Sequence, residues 1–152
     1  DASGNGHHGT IHGAEWTTGK VKNGLRFNER GYVEILDHQD LQIQSDITIM
    51  AWIKKTGKSV KGKSMGIVSR STEGSWDYDL FMSTSKLEHP AFYSDGFKKE
   101  GGDIEVISTA LVTLNEWHHL AVTRKDSVGK IYVDGILTGT ANLPVQYSYH
   151  VF

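Results

Sequence analysis

The stretch from Glu116 to Leu137, EWHHLAVTRKDSVGKIYVDGIL, limits the possible folds of this chain more than any other part of it. Apolar and polar side chains alternate between Trp117 and Arg124, which is the period-2 pattern of a strand with two different faces. After a polar break the alternation resumes from Lys130 to Val133, and Asp134-Gly135 follows at once. Asp-Gly between alternating runs is typical of a type I′ turn, because both residues tolerate positive φ. The stretch therefore predicts two successive hairpins, with the last strand beginning at Ile136.

Period-2 alternation recurs through the chain. Ile47 to Lys54 places four aliphatic residues on one face and Trp52 on the other, which an amphipathic helix would not do. Similar short runs are separated by turns rich in the 17 glycines, and together they predict about eleven strands and no helix. The exception is Lys55 to Ser64, where four lysines among Gly and Ser predict a solvated loop. We expect an all-β sandwich or jelly roll of two antiparallel sheets packed face to face.

Length and composition restrict the possible partners. The 152 residues are enough for a single domain, 1–152, with a core of its own. The net charge of −2 is dispersed along the chain, so we expect no nucleic-acid binding, and the apolar runs are too short for membrane insertion. Because cysteine is absent, disulfides and Cys-based metal sites are excluded.

The order of several segments resembles the laminin-G-like domains of the concanavalin A-like lectin/glucanase superfamily. These segments are DASGNG at the start, GLRFN from Gly24, YVEI from Tyr32, ITIMAWIK from Ile47, EWHHLAVTR from Glu116 and IYVDG from Ile131. The resemblance implies a concanavalin A-like jelly-roll sandwich that serves as an extracellular, secreted module. Such domains usually close with a further strand after the region around Val145, so we expect the chain to be a fragment, or to pair with a missing C-terminal segment or another chain.

Five residues are candidates for carbohydrate binding. Sugars present apolar C–H faces flanked by hydroxyl groups, so a binding site needs exposed rings beside polar side chains. Trp52, Asp79 and Phe81 lie on the non-aliphatic faces of their strands, while Trp76 and Tyr93 lie at or near strand ends. We expect these five residues to line the concave sheet or its rim, where an oligo- or polysaccharide binds. The alternative is that the rings only cover the second face of a sheet.

The sequence does not favour catalysis. The resemblance implies that a glycoside hydrolase of this superfamily would carry Glu, Asp and Glu at alternating positions of one strand, so that the carboxylates line a cleft. The nearest pattern here is Asp77-x-Asp79, which is followed by Phe81 instead of a second Glu. We therefore expect a lectin-like module without catalysis. The alternatives are a protein-interaction or adhesion domain and a glycan-active enzyme of the same superfamily.

A metal ion is expected to be structural at most, and no cofactor is required. Asp1 and Asn5 in the glycine-rich first loop offer the hard oxygen ligands that calcium prefers, and the resemblance implies a structural calcium ion. The alternative is that both side chains only stabilise turns. A metal at His7, His8 and His12 is disfavoured, because no Cys or clear carboxylate partner accompanies them.

Overall fold

A computed structural model describes residues 1–43, 46–63, 65–72, 75–99 and 102–142, and only the backbone of residues 71–72, 75–76, 95–99 and 102–104. The chain forms two compact units, Asp1–Gln42 and a second that begins at Ile43. The described strands are β1 (Gly9–Thr18), β2 (Asn23–Ile35), β3 (Ile47–Lys54), β4 (Met65–Thr72), β5 (Ser75–Met82), β6 (Pro90–Lys99), β7 (Gly102–Ile107), β8 (Trp117–Lys125), β9 (Val128–Val133) and β10 (Ile136–Asn142). Within these residues no helix has the length and apolar character needed to span a membrane.

The first unit is built on the antiparallel hairpin of β1 and β2, in which Gly9 pairs with Ile35. The sequence predicts two short strands around a turn at residues 28–31, whereas the structure has one long strand, β2. The predicted turn corresponds to a bulge in β2, because residues 28–31 interrupt the pairing with β1 opposite Gly13. A Cβ at Gly31 would lie 2.4 Å from the Gly13 carbonyl oxygen, so the bulge requires glycine there. A single-turn 3-10 helix, Gln39–Leu41, follows the hairpin.

The second unit consists of two four-stranded antiparallel sheets, with the strand orders β10-β9-β8-β3 and β4-β5-β6-β7. One core cluster takes side chains from both sheets, so their inner faces pack together as predicted. Among the largest fully buried side chains of this core are Leu80 and Phe92 from one sheet and Leu120 and Ile131 from the other. The all-β prediction is confirmed for the described residues.

The hairpins predicted between Glu116 and Leu137 are confirmed. Strands β8 and β9 pair antiparallel, and β10 begins at Ile136, opposite Val133. Asp134 and Gly135 have φ angles of 52° and 81°, the two positive values that a type I′ turn needs. Asp134 also accepts hydrogen bonds at 2.8 Å from the backbone N–H of His119 and from Nδ1 of His118, so the turn is tied to the start of β8.

Hydrogen bonds join the two sheets along one side of the second unit. The Thr138 carbonyl on β10 accepts from the backbone N–H and the hydroxyl of Thr109, just after β7, at 2.7 and 2.9 Å. Ser108 Oγ donates to Thr138 Oγ1 at 2.9 Å. A Cβ at Gly139 would come within 2.6 Å of the Ile107 carbonyl oxygen, so the close approach requires glycine. We call this junction of Ser108, Thr109, Thr138 and Gly139 the seam.

The structure differs from the expected solvated loop at Lys55. This side chain is 7% exposed and forms an ion pair with Glu88, which lies between β5 and β6. Lys55 Nζ also donates to Ser59 Oγ at 2.9 Å, and the Glu88 carboxylate accepts from the Ser59 N–H at 2.9 Å. Since a buried ammonium needs an opposite charge and hydrogen-bond acceptors, this network stabilises the beginning of the loop.

Candidate functional site

The outer face of sheet β10-β9-β8-β3 presents an exposed tryptophan among polar side chains. We call it the Trp52 face; its residues are Thr48, Met50 and Trp52 on β3, His119, Ala121 and Thr123 on β8, and Lys130 and Tyr132 on β9. Trp52 is 44% exposed, although it pairs across the strands with His119. The two rings are 5.1 Å apart and tilted by 59°, so the imidazole supports the indole while part of the indole remains open to solvent.

A pocket of about 560 Å³ lies at the opposite end of this face. Its polar lining includes Asp46, Thr123 and Lys130, and Tyr132 adds a ring with a hydroxyl group. Thr48 also lines the pocket, and the four-residue separation from Trp52 along β3 corresponds to about 13 Å. The face thus combines an apolar stacking surface with hydroxyl, carboxylate and ammonium groups, which matches the alternating chemistry of a sugar chain.

The outer face of the other sheet differs from the sequence expectation. Phe81 on β5 and Tyr93 on β6 are 6% and 8% exposed, and together with Ala91 they form a small apolar cluster against which Ile107 packs. The expectation that these rings are open to a ligand therefore does not hold in this structure. Alternation along a strand predicts that it has two faces, but it does not indicate whether the second face is covered.

Asp79 lies on this covered face with an unusual electrostatic environment. Ser69, Asp79, Tyr93 and Glu105 form one cross-strand row over β4, β5, β6 and β7. The pKa of Asp79 is raised to about 6, mainly by burial. A hydrogen bond from Ser69 acts to lower this pKa, and the charge of Glu105 contributes to the increase. Its buried Oδ1 has no hydrogen-bond partner within the described residues. Near neutral pH the ionised carboxylate is therefore held at a cost to stability.

We expect Asp79→Asn to increase the stability of the protein at neutral pH. The rise in pKa corresponds to a loss of about 3 kcal/mol in the free energy of unfolding at neutral pH. Because the side chain is partly solvated, we expect an effect of about 1–2 kcal/mol. The native pKa lies above the unfolded one, so the native state binds more protons and wild-type stability falls as pH rises from about 4 to 6. Urea unfolding at several pH values measures this, and a stability advantage of the Asp79→Asn variant that persists unchanged below pH ~4 would contradict it.

The structure separates the four predicted carbohydrate residues whose side chains it describes. Trp52 lies on one outer face of the sandwich, whereas Asp79, Phe81 and Tyr93 lie on the outer face of the other sheet. Trp76 is in β5, but its side chain lies outside the described residues. His119 and Tyr132 are further residues of the Trp52 face that the sequence alone does not identify, since the register that brings β3, β8 and β9 together cannot be read from any one strand.

Asp1 and Asn5 are part of a hydrogen-bonded loop. The Asp1 carboxylate accepts hydrogen bonds from the backbone N–H groups of Ser3 and His7 at 2.8 and 2.9 Å, and from Ser3 Oγ at 2.9 Å. The Asn5 N–H donates to Ser3 Oγ at 3.2 Å. These bonds match the alternative in which the first loop is stabilised by its own side chains. Calcium at Asp1 and Asn5 stays a prediction.

A family model described as the concanavalin A-like lectin/glucanases superfamily, of the laminin-G type, matches residues 27–150. The match extends over most of the chain and includes both sheets of the sandwich. No curated protein matches the sequence at a significant level.

Proposed function

Since the chain belongs to the concanavalin A-like lectin/glucanases superfamily, which indicates a carbohydrate-binding or adhesion-type module, we propose that it binds carbohydrate without catalysis. The ligand is an oligo- or polysaccharide held along the Trp52 face, and the module belongs to an extracellular protein. The exposed indole of Trp52 supports this proposal most directly. An isolated exposed ring is common on protein surfaces, but this one shares its sheet face with a polar pocket about 13 Å away.

Binding is expected to combine stacking and hydrogen bonding. A pyranose ring lies with its C–H groups on the open side of Trp52, where His119 prevents the indole from collapsing onto the sheet. The hydroxyl groups of further sugar residues reach Thr48, Thr123 and Lys130 at the pocket. Because the ring and the pocket are separated by about 13 Å, the site favours a sugar chain over a single sugar.

We expect Trp52→Ala to weaken glycan binding by about tenfold or more, since about 1.4 kcal/mol of stacking and burial is lost. Glycan arrays followed by titration calorimetry on the best ligand measure the effect. Trp16→Ala is the matched control, because Trp16 is an exposed tryptophan on β1, outside the Trp52 face. Equal losses in both variants, or an unchanged affinity for the Trp52 variant, would contradict the proposal, provided that thermal unfolding shows both variants to be folded.

The absence of catalysis is part of the proposal. Asp77 forms an ion pair with Arg70, and Asp79 lies beside the closed Phe81 and Tyr93 cluster, so this pair does not present two open carboxylates to a substrate. A retaining hydrolase needs two carboxyl groups about 5–5.5 Å apart on either side of the scissile bond. Turnover of a bound glycan that disappears in Asp77→Asn or Asp79→Asn would favour the glycan-active alternative.

A protein ligand is the second candidate function, and exposed apolar side chains favour it. Met50 on the Trp52 face and Ile136 and Leu137 at the start of β10 are exposed, which is typical of residues that pack against another polypeptide. If no glycan binds on the arrays, adhesion through this surface becomes the better explanation. Leu137→Ala would then weaken partner binding at least as much as Trp52→Ala.

A further inference from the structure

Two histidines and an aspartate meet at the open end of the β1–β2 hairpin. His7 lies two residues before β1, and His38 and Asp40 lie just after β2. One ligand atom from each side chain lies within 4.8 Å of the other two. We propose that His7, His38 and Asp40 form a binding site for a zinc-class divalent transition-metal ion, which links the two ends of the hairpin.

The distances fit the coordination geometry of such an ion. Asp40 Oδ2 is 3.6 Å from His7 Nε2 and 3.3 Å from His38 Nδ1. Ligand atoms at about 2.0–2.1 Å around a tetrahedral zinc ion are separated by about 3.3 Å, which both Asp40 distances approach. The ligand atoms of His7 and His38 lie within 4.8 Å of each other, so rotation of the side chains completes the site. Two imidazoles and one carboxylate provide three ligands, and water supplies the fourth on the exposed side.

The environment of the His7 side chain supports the site independently of these distances. This side chain is 14% exposed, and its Nε2 atom is buried with no hydrogen-bond partner within the described residues. A buried imidazole nitrogen is normally satisfied, and the nearest carboxylate oxygen is that of Asp40 at 3.6 Å. The Asp1 carboxylate accepts a hydrogen bond from the His7 N–H, which fixes the backbone of the loop at the residue that carries the ring.

The chemistry of the donors selects the class of ion. Imidazole nitrogen suits zinc, cobalt, nickel and copper, whereas calcium and magnesium prefer oxygen ligands. His38 Nδ1 accepts a hydrogen bond from the Asp40 N–H at 3.2 Å, so this nitrogen is unprotonated, as a metal ligand must be. When the ion binds, a bond from His38 Nδ1 to the metal replaces the hydrogen bond from the Asp40 N–H. The site is separate from the Asp1 and Asn5 pair expected to hold calcium.

The ion stabilises the first unit. A two-stranded hairpin is marginally stable in water, and a ligand that binds only the folded form adds to its stability. His7 and His38 flank the terminal pair Gly9 and Ile35, so the ion holds together the end at which the two strands would otherwise separate. Slower amide exchange near Gly9 and Ile35 on metal addition is therefore expected.

Calorimetric titration of the untagged 152-residue chain with Zn²⁺ tests the proposal. We expect one ion per chain, with affinity reduced about tenfold or more by His7→Ala, by His38→Ala and by Asp40→Asn. His12→Ala is the matched control and is expected to bind normally, because His12 stacks on Tyr32 outside the cluster. Co²⁺ should give the visible absorption spectrum of a tetrahedral complex, and Ca²⁺ should not compete.

Three results would contradict the proposed metal site. These are a wild-type chain that does not bind Zn²⁺, an equal loss of affinity in His12→Ala, or Ca²⁺ displacing Zn²⁺ at similar concentration. Asp40→Asn keeps the shape of its side chain, so it remains informative if a histidine variant fails to fold. Circular dichroism of each variant without metal separates loss of the site from loss of the fold. The experiment does not depend on carbohydrate binding.

Discussion

Replacement of Glu88 by Ala is expected to lower the free energy of unfolding by about 3 kcal/mol. The substitution leaves the ammonium of Lys55 buried without its carboxylate partner, and Ser59 loses the acceptor of its backbone N–H. A buried charge without a partner costs far more than the ion pair contributes, since the cost of desolvation is no longer offset. Urea unfolding monitored by tryptophan fluorescence measures the effect.

A double-mutant cycle with Lys55→Met separates the ion pair from other effects. Lys55→Met is expected to cost less than Glu88→Ala, because the Glu88 side chain is partly exposed and can be hydrated. The double variant should recover most of the lost stability, since neither charge then remains buried. A double variant as unstable as the sum of the single variants, or a cost of less than about 1 kcal/mol for Glu88→Ala, would show that Lys55 finds sufficient solvation elsewhere.

Asp134→Ala is expected to destabilise the protein by about 2–3 kcal/mol. The substitution removes two hydrogen bonds at 2.8 Å, from the His119 N–H and from His118, and places alanine at a φ of 52°. His118 is affected as well. Its Nδ1 donates a hydrogen bond to Asp134, and this tautomer leaves Nε2 free of a proton to accept from the Thr113 N–H at 3.2 Å. Loss of Asp134 removes the acceptor that holds this tautomer. Thermal and urea unfolding of the purified variant measure the loss.

Asp134→Asn is the matched control, since asparagine tolerates positive φ and its carbonyl can still accept from the His119 N–H. We expect a loss of about half that of Asp134→Ala, because the amide NH₂ faces His118 as a donor. A loss as large as that of alanine would show that the charge, and not the turn conformation, decides the stability. No loss in either variant would mean that the turn is held by Gly135 and the strands.

The pH dependence of the Asp134 contribution has a definite sign. Burial acts to raise the pKa of Asp134, but the hydrogen bonds from His119 and His118 and the charges of these histidines hold it below its ordinary value. A native pKa below the unfolded one means that the contribution is fully present above pH ~4 and is lost as the pH falls through the native value. The stability difference between wild type and Asp134→Asn should therefore shrink in acid.

The pairing of neighbouring strands could be predicted because its determinants are local. Strand β3 and the hairpins of β8, β9 and β10 follow from alternation and from Asp134-Gly135, which act over a few residues. The burial of Lys55 could not be predicted, since its partner Glu88 is 33 positions away in sequence. A lysine-rich run is typical of a solvated loop, and only the tertiary structure reveals that the first of these lysines is paired.

The candidate site was predictable in residue type and less so in position. Alternation correctly placed Trp52 on the outer face of β3, opposite the aliphatic residues that enter the core. The same reasoning predicts an outer position for Phe81, but a covered outer face has the same sequence pattern as an exposed one. The proposed metal site depends on the hairpin register that brings His7 close to His38, and no spacing rule within one strand predicts that register.

The seam has a consequence for how the second unit unfolds. The carbonyl and hydroxyl groups of Thr138 are bound by Ser108 and Thr109, so β10 cannot fray without breaking hydrogen bonds to the segment after β7. The contact of Gly139 with the Ile107 backbone adds close packing that no larger residue allows. Melting of one sheet thus exposes the edge of the other, and we expect the two sheets to unfold in a single cooperative transition with coincident fluorescence and circular dichroism signals.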